Sequence, residues 1–313
     1  MRYASALVLA LLCAWAHAQV RQDDGLAHFR YPGHTWVMAM KLDGFEIKEA
    51  KVDQQEGLYA LAQNTKTGVI VSVTMESARE AGDSKTCWAY FLPNIVNPND
   101  KNAYKTFELG RIAVLEYVYK LGDVMEVQKH FNGYLVEGDV WIDIHISKNN
   151  YKDEERPLLY ALLESVEFPK CMELYLEAQR HQREKADAAA LKCMAAALAM
   201  EKKEAKFSQR MFRELITDLA VAYGVSGDLE KAKETLEYGL QRDPTYPLFL
   251  YNMACYYAEK GDLENTLPML QKAFENKDKL SPGSQMPDPR TDSSFQRFQD
   301  NERFKKLLAE LGL

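Results

Sequence analysis

The sequence of 313 residues has few cysteines, five in all, and no two of them are spaced Cys-x-x-Cys. Dithiol redox sites and zinc knuckles are built on that spacing, so the sequence argues against both. Gly-x-Ser-x-Gly, His-Glu-x-x-His and phosphate-loop motifs are also missing. Each of those motifs supplies a particular catalytic geometry, so we do not expect an enzyme of the classes that use them.

Blocks of basic residues are missing as well. Asp and Glu outnumber Lys and Arg by 46 to 39, which gives a net charge of -7. A nucleic-acid-binding surface needs clustered cations that follow the phosphates, so neither DNA nor RNA is an expected partner. Apolar residues make up 47% of the chain and charged residues 27%, which is ordinary for globular protein, and the length suits two domains.

Long apolar runs are confined to residues 1–18, "MRYASALVLALLCAWAHA". One Arg, an apolar stretch too short to span a bilayer and a final Ala-His-Ala are typical of a cleaved signal peptide. We expect cleavage after Ala18, a mature chain that begins at Gln19, and a secreted or periplasmic location. A membrane anchor and lipid attachment at Cys13 are the alternatives, although leucines precede Cys13 where small residues would be expected.

Four cysteines remain after cleavage, and they allow three complete pairings. Cys193 and Cys255 lie in helical runs, where a small apolar thiol fits between packed helices. Cys87 and Cys171 lie near the edges of predicted elements and are the better candidates for a disulfide.

Residues 19–169 alternate polar and apolar side chains with the period of two that strands require, as in "GVIVSVTMES". A hairpin over "VMEVQKHFNGYLVEGDVWIDIHIS" is predicted to turn at Glu137-Gly138, with a bulge at Gly133. Two helices interrupt the strands, and the second, "EERPLLYALLESVEF", is predicted to turn Leu158, Leu159, Leu162 and Leu163 to one face. This order of elements, with its closing helix, resembles the PsbP and Mog1 fold, an α/β/α sandwich whose members are mostly extrinsic subunits or binding adaptors.

After Pro169 the pattern becomes helical, and two segments repeat. Gly227 and Gly261 are 261 - 227 = 34 residues apart, and the surrounding residues match in step. A period of 34 with this composition resembles the tetratricopeptide repeat. The repeat-defining residues are Ala220, Tyr223, Gly227, Ala232 and Pro244 in the first copy, and Ala254, Tyr257 and Gly261 in the second.

In that repeat the small alanines let two helices approach, the tyrosines fill the gap beside them, and the glycines end the first helix in a left-handed turn. The second copy departs from the pattern at Thr266, where the first has Ala232, and at Asp278, where Pro244 would recur. A degenerate third unit is predicted ahead of them from Ala189, Cys193 and Ala196. The repeats are expected over 170–281, and 282–313 are expected to form a link and a capping helix. The predicted class is therefore α+β, an antiparallel-sheet sandwich followed by an all-α repeat domain.

The resemblance implies a concave binding face lined by the first helix of each unit. Acidic residues lie there where carboxylate-binding members of the family carry cations, so we expect a neutral or basic protein or extended peptide as partner. Tyr251 is the expected aromatic anchor. The full predicted face consists of Glu214, Thr217, Asp218, Val221, Leu248, Tyr251, Asn252 and Cys255.

We therefore predict an exported protein-binding adaptor or scaffold without a cofactor or bound metal. One alternative is a hydrolase or metal-binding protein that uses Asp143 and His145, which share a strand face, with His130 on the neighbouring strand. Another is a structural subunit whose repeats pack on its own first domain.

Overall fold

The computed structural model of the protein describes residues 19–53, 57–96, 104–120 and 127–313. The predicted signal peptide lies outside these residues. Among these residues the chain divides into two compact units, one from Gln19 to Pro169 and one from Lys170 to Leu313. Across the described ranges, no helix combines the length and apolar character that a membrane crossing requires.

The first unit is built on antiparallel strands. Within the described part of this unit, three strands form a small sheet in the order β1-β2-β3, and seven form a larger sheet in the order β4-β5-β6-β10-β9-β8-β7. The predicted α+β class is confirmed, because this sheet unit precedes a helical one. The strands are β1 (Val20–Asp23), β2 (Leu26–Phe29), β3 (Met38–Lys41), β4 (Glu46–Asp53), β5 (Gly57–Asn64), β6 (Val69–Ser77), β7 (Tyr104–Leu109), β8 (Ile112–Lys120), β9 (Val127–Glu137) and β10 (Val140–Asn149).

Two helices cover opposite faces of the larger sheet, because alternate side chains of each strand point to opposite faces. Helix α2 (Arg156–Glu164) and the small sheet pack on the face that carries Val73 and Ile144. Helix α1 (Ser84–Ile95) packs on the other face, where Cys87 meets Tyr134 and Trp141. Burial of both faces gives a layered unit with the sheet in the middle.

Two details of the sheet unit differ from the sequence-based expectation. The pairing of β9 with β10 is continuous through Gly133, so the predicted bulge there is wrong, although the turn does follow Glu137. A Cβ at Gly133 would lie 2.8 Å from Leu163 Cδ2, which shows that the glycine makes room for α2. Leu158 is 49% exposed and does not share the buried face of α2, which consists of Leu159, Leu162 and Leu163.

A buried ion network fixes α2 to the sheet. Glu116 of β8 is 3% exposed, and its Oε1 lies 2.6 Å from Lys129 Nζ. Tyr160 of α2 donates a hydrogen bond of 2.9 Å to Glu116 Oε2, and Arg156 also donates to that oxygen. A buried carboxylate is tolerated because it is paired and hydrogen-bonded.

The second unit consists of paired antiparallel helices followed by a C-terminal segment. Contacts are densest within three successive pairs: α3 with α4, α5 with α6, and α7 with α8. Antiparallel pairs joined by short turns bury their apolar faces only when neighbouring pairs stack. The helices are α3 (Lys170–Arg183), α4 (Asp187–Glu201), α5 (Gln209–Ser226), α6 (Leu229–Arg242), α7 (Pro247–Glu259), α8 (Leu263–Glu275) and α9 (Glu302–Glu310).

The second and third pairs turn with the same geometry. Gly227 has φ 87° and Gly261 has φ 75°, both in the left-handed region that glycine adopts without strain. The next residue donates its N–H to the tyrosine carbonyl five positions earlier, at 2.9 Å in both pairs. Asp228 and Asp262 then cap the following helices through their side chains.

The first pair follows the same pattern, but in a different register from the one predicted. Lys185, with φ 59°, occupies the left-handed position, and Ala186 donates to the carbonyl of His181 at 2.8 Å. The left-handed positions of the first and second pairs are therefore 227 - 185 = 42 residues apart. This spacing is one residue shorter than in the alignment predicted from Ala189, Cys193 and Ala196. The buried small residues of this pair are Ala178, Ala190 and Ala197, not Ala189, Cys193 and Ala196.

The C-terminal segment completes the core of the helical unit. A 3₁₀ stretch over Ser293–Phe298 and helix α9, capped by Asn301, pack on α7 and α8 through Phe295 and Phe304. Thr266, where the second copy departs from the repeat pattern, is completely buried, and its hydroxyl donates to the carbonyl of Asp262 at 2.6 Å. The hydroxyl is satisfied locally, so the residue is accommodated without an unpaired polar group.

Candidate functional site

The first helices of the three pairs present a repeated position on one face of the array. Tyr175 of α3, Thr217 of α5 and Tyr251 of α7 are equivalent, since 217 - 175 = 42 and 251 - 217 = 34. Tyr175 Oη donates to Asp218 Oδ2 at 2.7 Å, and Tyr251 Oη donates to Asp292 Oδ2 at 2.9 Å. At both tyrosines, therefore, the hydroxyl bonds to an aspartate from the next segment of the array.

Tyr251 is not available as an anchor for a partner. It is 1% exposed, and the ring of Phe295 packs against it edge-on at 5.7 Å. Leu248 is also buried. The prediction that these two residues line an open groove is wrong, because the C-terminal segment covers the face of α7 that carries Tyr251. The repeat pattern could not predict this, since the segment lies outside the repeats.

A half-buried polar strip remains on α5 and α7. Thr217 is smaller than the tyrosines at the equivalent positions, and its Oγ1 is buried without a hydrogen-bond partner among the described residues. Asn252, which matches Asp218 in the next unit, is half-buried, and its side chain makes no hydrogen bond within the described ranges. We refer to Glu214, Thr217, Asp218, Val221 and Asn252 together as the polar strip.

The charge of the polar strip depends on pH near neutrality. Burial raises the pKa of the Asp218 carboxyl to about 7, and the negative charge of Glu214 adds to the effect, although the hydrogen bond from Tyr175 opposes it. Glu214 Oε1 itself lies 3.1 Å from Arg210 Nε. A carboxyl that titrates near neutrality ionises more readily when a cation approaches.

The sheet unit brings together the residues of the alternative site. His130 and His145 stack, and a hydrogen bond of 2.8 Å joins His130 Nδ1 to His145 Nε2. Asn132 Nδ2 donates to Asp143 Oδ1 at 2.9 Å on the same face. The pairing of β9 with β10 explains this grouping, because Asn132 lies opposite His145.

Burial dominates the electrostatics of this group. It lowers the pKa of His130 to about 4, with the neighbouring His145 adding to the effect, and it lowers the pKa of His145. Burial raises the pKa of Asp143 to about 6, while the hydrogen bond from Asn132 acts in the opposite direction. Both imidazoles are therefore neutral at pH 7, and such a pair can relay a proton but does not carry a fixed charge.

The predicted disulfide does not form. Cys87, Cys171, Cys193 and Cys255 are all thiols in the structure. Cys87 packs under α1 in the sheet unit, and Cys171 is buried in α3 of the helical unit. Burial, reinforced by Asp143, raises the pKa of the Cys87 thiol to about 12, which makes it unreactive.

One group of possible metal ligands was not predicted from the sequence. Glu177, His181 and Cys193 hold their ligand atoms within 4.8 Å of one another, whereas Asp143 and the two sheet histidines form no such group among the described residues. The signal that could have indicated it is a Glu and a His four residues apart on one helix, since side chains at that spacing are neighbours.

No family model matches this chain, and no curated protein matches it. Twelve chains of solved structures do match. One is a Bacteroides thetaiotaomicron VPI-5482 protein, solved by crystallography at 1.50 Å. It is 9% identical, with a TM-score of 0.31, and the match covers 66% of this chain and 75% of that one.

Proposed function

We propose that the protein is an exported protein-binding adaptor that holds a basic or neutral extended peptide, or a flexible segment of a partner, along the polar strip. The observation that carries this proposal is the half-buried strip itself, in which the side-chain amide of Asn252 makes no hydrogen bond within the described ranges. An unpaired side-chain amide binds a peptide backbone, because a partner's N–H and C=O groups satisfy its carbonyl and NH₂ groups.

The acidic residues of the strip support a basic partner. Glu214 and Asp218 lie one helical turn apart on α5, and the net charge of the whole chain is also negative. Complementary charge favours encounter and the correct partner more than it raises affinity. The contact therefore combines backbone hydrogen bonds with selection for Lys or Arg side chains.

Within this proposal, the helical unit is a short tetratricopeptide-type array. Support comes from two helix pairs with a spacing of 34 residues, the same left-handed glycine turn and the same aspartate cap. Export is the other part of the proposal, and its support is the composition of residues 1–18. Intact-mass measurement of protein recovered from outside the cytoplasm should give a chain that begins at Gln19.

The binding proposal can be tested with the mature full-length chain and a displayed library of short peptides. We expect the selected peptides to carry net positive charge and to bind with an affinity that falls as salt increases. Asp218→Asn combined with Asn252→Ala should weaken binding of a selected peptide at least about tenfold, a loss of about 1.4 kcal/mol. Fluorescence anisotropy of the labelled peptide measures this directly.

The matched control is Glu237→Gln, which removes an exposed acid from the second helix of the same pair. It should leave peptide affinity unchanged. If both variants bind like the unmodified chain, or if the selected peptides are acidic, the polar strip is not the binding face.

A second candidate function is proton-transfer catalysis on the sheet face, favoured by the hydrogen bond between His130 and His145 and by the raised pKa of Asp143. General-base chemistry needs a carboxyl or imidazole that titrates near the working pH. A panel of ester and phosphoester substrates would show activity that Asp143→Asn abolishes. That result, together with normal peptide binding by the sheet variant, would assign two separate activities.

A further inference from the structure

A group of three different metal-ligating side chains joins the two helices of the first pair. Glu177 and His181 lie one turn apart on α3, and Cys193 lies on α4. His181 Nε2 is 3.9 Å from Glu177 Oε1, and all three ligand atoms fall within 4.8 Å of one another. All three side chains are half-buried, so an ion could enter from solvent.

These separations are close to those of a tetrahedral zinc site. With metal–ligand bonds of about 2.0 Å to nitrogen or oxygen and about 2.3 Å to sulfur, neighbouring ligand atoms lie roughly 3.3–3.5 Å apart. The ligand atoms must therefore approach one another by up to about 1.5 Å, which side-chain rotation can supply. A thiolate, an imidazole and one carboxylate favour Zn²⁺ over Ca²⁺ and Mg²⁺, which prefer oxygen ligands alone.

The surroundings of His181 fit a role as a metal ligand. Its Nδ1 lies 3.6 Å from Glu184 Oε2, on the side of the ring opposite the Nε2 that approaches Glu177. Ligating histidines commonly turn their second nitrogen toward a carboxylate, which fixes the tautomer and raises the basicity of the ligating nitrogen. Arg180 pairs with Glu184 at 3.1 Å and lies 3.7 Å from Glu177, so the acidic charge of the group is partly compensated.

The Cys193 thiol is protonated when no ion is bound. Burial raises its pKa, and the charge of Glu177 adds to the effect, while Lys192 and Arg180 oppose it. A bound divalent ion favours the deprotonated form instead, because the sulfur binds the metal as the thiolate. The S–H bond breaks as the S–Zn bond forms, and one proton passes to solvent for each ion bound.

We propose that Glu177, His181 and Cys193 bind one Zn²⁺ ion, with the fourth position open to water or to a small donor ligand. The ion links α3 to α4 and fixes the first helix pair. This site is separate from the polar strip on α5 and α7, so the two proposals can fail independently.

The test uses the untagged mature chain, kept reduced and freed of metal with a chelator. Calorimetric titration with zinc chloride should give one ion per chain with a Kd below about 1 μM. Titration with Co²⁺ should produce the intense absorption of a thiolate-to-cobalt charge transfer, which reports a sulfur ligand directly. Zinc affinity should rise with pH, because binding displaces the thiol proton.

Variants then assign the ligands. Cys193→Ser and His181→Ala should each weaken zinc binding at least a hundredfold, and Cys193→Ser should abolish the charge-transfer band. Glu184→Gln should weaken binding about tenfold and keep the band, as expected for a residue that only orients His181. Circular dichroism of each variant verifies that the helical content is retained.

The matched control is Cys255→Ser, which replaces the other half-buried cysteine, on α7. It should leave both the zinc affinity and the cobalt spectrum unchanged. If Cys255→Ser removes the band, or if the unmodified chain binds no zinc below about 100 μM, the assignment to α3 and α4 is overturned.

Discussion

The two units of the molecule assemble their polar groups in different ways. In the helical unit, the left-handed turn recurs in all three helix pairs and the aspartate cap in the second and third, because these pairs repeat the same local geometry. In the sheet unit, His130 and His145 meet only because the register of β9 and β10 places them together. Repeated helix pairs present the same local geometry several times along the array. The pairing of two strands brings one particular set of side chains together at a single place.

We expect the largest loss of stability from substitutions in the C-terminal segment, which lies outside the repeated helix pairs and completes the core of the helical unit. Phe304 of α9 is completely buried and stacks on Phe295, which in turn covers Tyr251. Phe304→Ala should lower the free energy of unfolding by about 3–5 kcal/mol. Urea denaturation followed by circular dichroism measures it. Leu311→Ala, at a half-buried position in the same core cluster, should cost much less, and a loss in Phe304→Ala no larger than that in Leu311→Ala would show that Phe304 does not close the core.

A pair of glycine substitutions sharpens the contrast between packing and backbone conformation. Gly133→Ala places a methyl group against the buried Leu163 and Ile112, so we expect a loss of about 1–3 kcal/mol. Gly227→Ala meets no neighbouring atom but must adopt φ 87°, which costs about 1–2 kcal/mol. Leu163→Ala combined with Gly133→Ala should recover part of the stability that Gly133→Ala loses. Leu163→Ala should recover none of the stability that Gly227→Ala loses. Additive losses in that double variant would contradict the close approach of α2.

The two units also differ in a titrating carboxyl, Asp218 in one and Asp143 in the other. Burial raises both folded pKa values, to about 7 and about 6, above the ordinary 3.8. The folded state then binds more protons than the unfolded state, so stability falls as pH rises from about 4 to each folded pKa. Asp218→Asn should remove a pH-dependent fall in the free energy of unfolding on the order of 1–2 kcal/mol, a range that allows for the partial exposure of Asp218. Asp143→Asn should remove a smaller fall, which ends near pH 6.

Thermal unfolding of both variants across that pH range measures the difference. Each variant should gain stability relative to the unmodified chain as pH rises, and should level off above the folded pKa. A pH profile of Asp218→Asn that parallels the unmodified chain would show that Asp218 is ionised throughout.

We expect the smallest loss of stability from substitutions of the aspartates that cap the second helix in the second and third pairs. Asp228→Ala and Asp262→Ala should each cost about 1 kcal/mol, because each removes the acceptor for one N–H at a helix start. Asp262 also accepts from the Asn265 side chain at 2.6 Å, so its loss should be slightly the greater. Denaturation midpoints give both values, and a difference of more than about 1 kcal/mol would mean that the two turns are not equivalent.

Sequence reasoning predicted the parts of the structure that depend on short-range pattern. The left-handed turns at Gly227 and Gly261 were predicted from the repeat pattern, and the hairpin turn after Glu137 from its glycine and from arms of nearly equal length. The register of the first helix pair was not predicted correctly, because Lys185 occupies the left-handed position that a glycine occupies in the other two pairs. No local pattern indicates that Asp292 reaches Tyr251, since 41 residues separate them and the bond depends on the path of an irregular segment.

The buried contact between Phe295 and Tyr251 also bears on polymerisation. The last pair of a helical stack would otherwise offer an apolar surface on which the first pair of a second copy could dock, and head-to-tail contacts of that kind grow into open filaments. Here that surface is already occupied by the chain's own residues. Removing residues 281–313 should therefore make the chain self-associate more strongly than the intact chain, to a degree that increases with concentration.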